Sequence, residues 1–95
     1  MSQKITLSKV INVNGKETKE VVMDFSKLTG RDLSQAESQV RASGNATPMI
    51  NFCSEYQAAI AAKILGVKTD DVLDLPAVDY VAITNSVLAF LSGQA

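Results

Sequence analysis

The chain has 95 residues, of which 46% are hydrophobic and 20% charged, and it contains no histidine, no tryptophan and a single cysteine. This length supports one domain with a thin core that buries roughly 60–68% of the surface of the unfolded chain, and the composition excludes an intrinsically disordered protein. Nine basic and ten acidic residues give a formal net charge of −1, and the lysines are scattered along the chain, which disfavours nucleic-acid binding.

Neither a secretion signal nor a membrane span is visible in the sequence. The first twenty residues carry four lysines and two glutamates without an apolar stretch. The longest unbroken apolar runs, 58–62 and 87–91, have five residues each, far fewer than the roughly 20 of a membrane helix. We therefore expect an intracellular protein without a membrane partner.

Residues 4–25 have the pattern of a β-hairpin. Two arms of alternating apolar and polar residues flank Asn14-Gly15, which is the strongest short-range hairpin signal. The apolar positions that need burial are Ile5, Leu7, Ile11, Val21, Met23 and Phe25. They share one face only if the loop has an odd number of residues, so we predict a loop of three or five residues with Gly15 at positive φ. The polar tip, 13–20, is expected to protrude.

The next element is a helix predicted over residues 30–43. Thr29 followed by Asp32 resembles a capping box, in which each side chain satisfies a free backbone amide at the start of the helix. Glu37 and Arg41 stand four residues apart, which predicts an ion pair on the helix surface.

A second helix is predicted over residues 48–65, because Thr47-Pro48 suits the first turn and Gly66 suits the end. Its core face is predicted to carry Met49, Phe52, Cys53, Tyr56, Ile60 and Ile64. The other side carries Ala58, Ala61 and Ala62. Alanine is a strong helix former that fits exposed positions, but small side chains also admit a close partner helix. These three alanines are therefore candidate partner-binding residues.

A single helical turn is predicted over residues 70–74, with Thr69 as its cap. The nearby carboxylates belong to Asp70, Asp71 and Asp74. They lack the glycine and the later bidentate glutamate of a calcium-binding loop, so we predict no metal site.

The last helix is predicted over residues 76–92, opened by Pro76. Its buried stripe is predicted to hold Tyr80, Val81, Thr84, Val87, Leu88 and Leu91. Ile83 and Phe90 lie on a separate flank, so they are candidate partner-binding residues. The alternative interpretation is a helix that is buried on two sides.

These segments predict an α+β fold, with an N-terminal β-hairpin followed by three main α-helices and one short helical turn, in a small single domain over residues 1–95. Without histidine, catalysis would depend on acidic residues, Lys63, Cys53 or Tyr56, and none of these forms a recognisable constellation. We therefore predict a binding module that is not an enzyme and has no cofactor.

The order and spacing of several short segments resemble one known family across nearly the whole chain. The segments are Lys4-Ile5-Thr6-Leu7-Ser8-Lys9, Val13-Asn14-Gly15-Lys16-Glu17, the stretch from Met23 to Leu33, the stretch from Tyr56 to Ala62, Gly66-Val67, and Leu75-Pro76-Ala77-Val78-Asp79-Tyr80. On these segments the chain resembles the tail assembly chaperones of long-tailed bacteriophages.

The resemblance implies a protein that binds the tape measure protein, keeps it soluble and helps tail tube subunits polymerise around it. It implies action in the host cell cytoplasm and absence from the mature virion. The implied partners are the tape measure protein and the tail tube protein, and a homo-oligomer is a further option for a domain of this size. The family supplies no catalytic residues.

Two other functions remain as alternatives. A structural tail or tail-completion protein retained in the virion would use the hairpin for strand addition between subunits. A small DNA-binding regulator would need a basic recognition helix, but the first helix has only Arg31 and Arg41 against Asp32 and Glu37.

Overall fold

The computed structural model describes residues 2–93, so the outermost residues of the predicted domain, 1 and 94–95, lie outside the described part. It has the α+β fold that the sequence predicts. Two antiparallel strands, β1 (Ser2–Val13) and β2 (Lys16–Asp24), precede four helices. The helices are α1 (Gly30–Ala42), α2 (Ser54–Leu65), α3 (Thr69–Leu73) and α4 (Ala77–Leu91), and short 3-10 turns occupy Phe25–Lys27 and Ile50–Phe52. No helix within residues 2–93 combines the length and apolarity that crossing a bilayer requires.

The hairpin turn has two residues, so the predicted loop of three or five residues is wrong. Val13 pairs directly with Lys16, and the two turn residues have positive φ, 54° at Asn14 and 82° at Gly15. This is the geometry that an Asn-Gly pair favours, because its twist matches that of the flanking strands. The Asn12 side chain also accepts a hydrogen bond from the Gly15 amide at 2.8 Å.

A bulge in β1 brings the apolar side chains of the two strands onto one face, as the predicted odd-numbered loop would have done. Pairing jumps from Thr6–Glu20 to Ile11–Thr18, so residues 7–10 of β1 lie opposite a single residue of β2. An odd shift in register moves every later side chain to the other face of the strand. The predicted buried face is therefore confirmed, with Ile11 half-buried and the others fully buried: Ile5, Leu7, Val21, Met23 and Phe25.

The hairpin tip lies beside the connection between α2 and α3 rather than protruding as predicted. Gly66 ends α2 in the left-handed conformation, at φ 70°. A methyl group added there would lie 3.4 Å from the side-chain nitrogen of Asn14. Both turn residues, Asn14 and Gly15, are exposed to solvent.

Both local predictions for α1 are confirmed. The Thr29 hydroxyl accepts from the Asp32 amide at 3.3 Å, and the Asp32 carboxylate accepts from the Thr29 amide at 3.0 Å. Arg41 and Glu37 form an ion pair at 2.9 Å. The helix ends at Ala42, one residue before the predicted end.

The second helix begins at Ser54, six residues later than predicted. The Asn45 side chain accepts from the Thr47 amide at 3.0 Å, so the backbone at Thr47-Pro48 forms a side-chain-supported turn instead of a helix start. Two predicted core residues, Met49 and Phe52, are consequently exposed.

Helix α2 is the centre of the molecule. It packs against α1, α3, α4 and β2, and every residue from Tyr56 to Ala62 is buried. A helix that is surrounded on all sides needs no polar face, which explains why its alanines are inside.

The two remaining helices start one residue from their predicted positions. Helix α3 includes Thr69 as its first residue, and the amide of the preceding Lys68 donates to the Asp71 carboxylate at 3.2 Å. Pro76 is the residue just before α4 rather than its first residue.

The bulge of β1 is bound to the start of α4 by a buried carboxylate. Asp79 is only 2% exposed and lies in the first turn of α4, where the helix dipole favours a negative charge. It accepts two hydrogen bonds from Ser8, one from the amide at 2.8 Å and one from the hydroxyl at 2.9 Å. These bonds join the first strand to the last helix, and we call the pair the Ser8–Asp79 clamp.

We predict that Asp79→Ala lowers the free energy of unfolding by about 2 kcal/mol, because it removes both charge-assisted bonds of the clamp. Urea denaturation followed by circular dichroism measures this change. Lys4→Ala is the control, since it removes only the exposed 2.7 Å ion pair with Glu20 and should leave the denaturation midpoint unchanged. Equal midpoints for the Asp79 variant and the wild type would show that the clamp does not stabilise the fold.

Candidate functional site

Four of the five predicted partner-binding residues lie inside the fold. Ala58, Ala61 and Ala62 on α2 are covered by the surrounding elements, and Ile83 on α4 is 0% exposed. The core face of α4 is centred on Ile83 and Val87, whereas Val81, which was predicted to be in the buried stripe, is 51% exposed. The expectation that these four side chains lie off the core is therefore wrong, because helical periodicity does not reveal how many sides of a helix are covered.

Phe90 is half-buried against the 3-10 turn that follows β2. Its ring stacks on Phe25 with the centroids 4.6 Å apart and the planes at 6°. This arrangement corresponds to the alternative interpretation of α4 as a helix buried on two sides. Partner binding through Phe90 and Ile83 stays a prediction, and for the fully buried Ile83 it would require α4 to move away from the core.

An apolar groove runs between the hairpin and the helices. One wall is residues 9–13 of β1, and the other is formed by the end of α2, by α3 and by the segment that leads into α4. Its apolar lining consists of Val10, Ile11, Val13, Leu65, Val67, Val72, Leu75 and Pro76. We call this feature the groove.

The Ser8–Asp79 clamp determines how the two walls of the groove are positioned relative to each other. It fixes the bulge of β1 next to the first turn of α4, and the residues that follow Ser8 form one wall. Pro76, three residues before Asp79, belongs to the opposite wall. Each wall is therefore attached to one end of the clamp.

The rim of the groove carries unlike charges on its two sides. Lys9 lies on the β1 wall, and Asp71 and Asp74 lie on the α3 wall. All three are exposed, and within residues 2–93 none of them forms an ion pair. That part of the chain also contains no cluster of three or more histidine, cysteine or acidic side chains placed to hold a metal ion.

A second apolar surface, which we call the loop patch, is formed by residues 48–52. Its exposed members are Met49 and Phe52. The loop is held at both ends: Arg41 donates to the Thr47 carbonyl at 2.9 Å, and the Gln57 side chain donates to the Asn51 carbonyl at 2.8 Å. These bonds order the loop patch before any partner arrives.

The groove is small and apolar. Its volume is about 250 Å³, below the roughly 300–1,000 Å³ of small-molecule sites. A space of this size with an apolar lining accepts a few aliphatic side chains from another polypeptide.

The side chains that sequence analysis considered for catalysis are held in separate places. Lys63 donates to the Gln35 side chain at 3.1 Å. Cys53 is half-buried and accepts from Asn45 at 3.1 Å. Burial raises the pKa of Tyr56 above its usual value, so its hydroxyl stays neutral at pH 7.

Sequence analysis missed both apolar surfaces. The groove depends on the bulge of β1, and the only signal for it is the adjacent apolar pair Val10-Ile11, which interrupts the alternation of the strand. The loop patch was assigned to the core face of a helix that starts later than predicted. In that case the competing signal was Asn45, whose side chain holds the loop in a turn.

We predict that Ile83→Ser lowers the free energy of unfolding by about 3–5 kcal/mol, because it leaves a cavity and buries a hydroxyl. Thermal melting followed by circular dichroism measures the loss. Val81→Ser on the exposed side of the same helix is the control and should change stability by no more than about 0.5 kcal/mol. If the Ile83 variant melts like the wild type but loses partner binding, the original assignment of Ile83 to an interface is right.

A sequence model of the family described as "Phage tail assembly chaperone proteins, E, or 41 or 14" matches residues 4–92. Comparison with curated proteins and with solved structures gives no match. The matched range contains the clamp and all the residues that line the groove. The chain belongs to the phage tail assembly chaperone family.

Proposed function

We propose that this chaperone binds the tape measure protein of the phage tail, keeps it soluble and promotes assembly of the tail tube around it. Family membership supports a role in tail assembly through protein partners and indicates a non-enzymatic function. The tail tube protein is a second proposed partner, and self-association is a further option. The proposed location is the host cell cytoplasm, with no copies kept in the mature virion.

The apolar groove is the observation that carries this proposal. The exposed Val10 lines it, and two more exposed apolar side chains belong to the segments that form its other wall or follow it: Leu73 lies between two lining residues, and Val78 follows Pro76 by two positions. A contiguous exposed apolar surface on a small protein marks a site for another protein. A long helical client presents repeated apolar faces, and several chaperone copies bound along one client would cover them in turn.

A retained structural tail or tail-completion protein is the second candidate. The observation that favours it is the two-stranded sheet, in which β1 and β2 pair only with each other within the described residues. The outer edge of β2, which is not interrupted by the bulge of β1, is thus the edge to which a neighbouring subunit could add a strand.

We predict that co-expression with the tape measure protein transfers that protein from the insoluble to the soluble fraction. The physical reason is that bound chaperone covers apolar faces that otherwise associate with each other. Centrifugation of lysates with and without the chaperone, followed by quantitative electrophoresis, measures the transfer, and size-exclusion chromatography should recover the two proteins together.

An insoluble tape measure protein in both lysates would contradict the proposal. Mass spectrometry of purified virions separates the two candidate functions, because a chaperone is absent from mature particles and a structural tail protein is present in fixed stoichiometry with the other tail proteins.

A further inference from the structure

We propose that the groove seats an amphipathic α-helix of the client, with basic side chains against the α3 wall and an acidic side chain against Lys9. The proposal rests on the proposed function, since it takes a tail protein as the client, and it adds the site, the conformation of the bound segment and its charge pattern.

The lining of the groove requires an apolar stripe on the client. Val10, Leu75 and Pro76 line the groove; the exposed Val78 follows Pro76 by two positions, and the exposed Val81 lies one helical turn further along α4. A helix with apolar residues at positions i, i+3, i+4 and i+7 presents a stripe that suits such a lining.

The charges at the rim of the groove predict which charged residues flank the apolar stripe of the client. Asp71 and Asp74 on the α3 wall lack ion-pair partners in the described chain, and so does Lys9 on the β1 wall. A client helix with lysine or arginine on one flank and glutamate or aspartate on the other forms ion pairs with both walls at once. Turning such a helix end to end reverses its flanks, so the rim charges also select the direction in which the client lies.

The main chain of β1 explains why the client is helical rather than extended. An added strand needs a regular row of free backbone groups along an edge. Within the bulge this row is interrupted, and the Ser8 amide already donates to Asp79 at 2.8 Å. A helix satisfies its backbone hydrogen bonds internally, so it needs only side-chain contacts from the groove.

Matched hairpin variants test the location. Val10 lines the groove and is 56% exposed, whereas Val22 lies on the same hairpin outside the groove and is 54% exposed. We expect Val10→Asp to weaken capture of the tape measure protein by about tenfold or more, as expected for an interface anchor, and Val22→Asp to leave it unchanged. The measurement is the amount of tape measure protein that co-purifies with each tagged chaperone variant.

A second groove variant keeps the test valid if Val10→Asp misfolds. Val78→Asp places its carboxylate in the first turn of α4, which the helix dipole tolerates, so this variant should melt like the wild type and still lose capture. Asp74→Lys should also reduce capture, whereas Glu17→Lys, with the same change in net charge but outside the groove, should not.

Crosslinking tests the helical conformation. A photo-reactive residue at the exposed Leu73, which lies between the groove-lining residues Val72 and Asp74, should label client residues spaced three or four apart, as on one face of a helix. Labels at every second residue would indicate an added strand and overturn the helical assignment.

The outcomes separate the two proposals. If the wild type captures the tape measure protein and the folded Val10 and Val78 variants do so equally well, the groove is not the site although the proposed function stands. Loss confined to Phe52→Asp would move the site to the loop patch. If the groove variants lose self-association but still capture the tape measure protein, the groove binds a second copy of this chain instead of the client. Failure of the wild type itself would overturn the proposed function.

Discussion

The two hydrogen bonds from Ser8 to the buried Asp79 carboxylate connect residues 71 positions apart. A buried carboxylate is costly unless it is fully bonded, and within the described residues no buried side-chain nitrogen or oxygen lacks a partner. The fold therefore requires these two bonds to form, and it also gains stability from them. They set where β1 bulges, how closely the hairpin approaches α4, and how far apart the walls of the groove stand.

The features that the sequence predicted well are those whose causes are local. The Asn14-Gly15 turn, the Thr29–Asp32 capping box and the Glu37–Arg41 ion pair each depend on residues within four positions of one another. The alternation along the hairpin also identified the buried face. Its register was wrong in detail, because the bulge is held by bonds to Asp79, which belongs to the far end of the sequence.

The candidate site was much harder to predict, for two physical reasons. The groove forms between segments that are distant in sequence, so neither wall alone has a recognisable pattern. The apolar residues that sequence analysis assigned to an interface, such as Ile83 and the alanines of α2, are also the residues that a central helix and its neighbours need for packing. Hydrophobicity identifies side chains that need a partner, but it does not distinguish a partner in the same chain from one in another chain.

The alanine-rich interior has a consequence for how this protein can diverge. The buried alanines are Ala36, Ala58, Ala59, Ala61 and Ala62. Such small side chains let neighbouring elements pack closely around α2, and adding even one methyl group to a tightly packed interior forces backbones apart. Mutational drift that preserves folding must therefore concentrate on outward-facing positions. Binding of the proposed client can then change through the exposed side chains around the groove, while the alanine-packed interior stays the same.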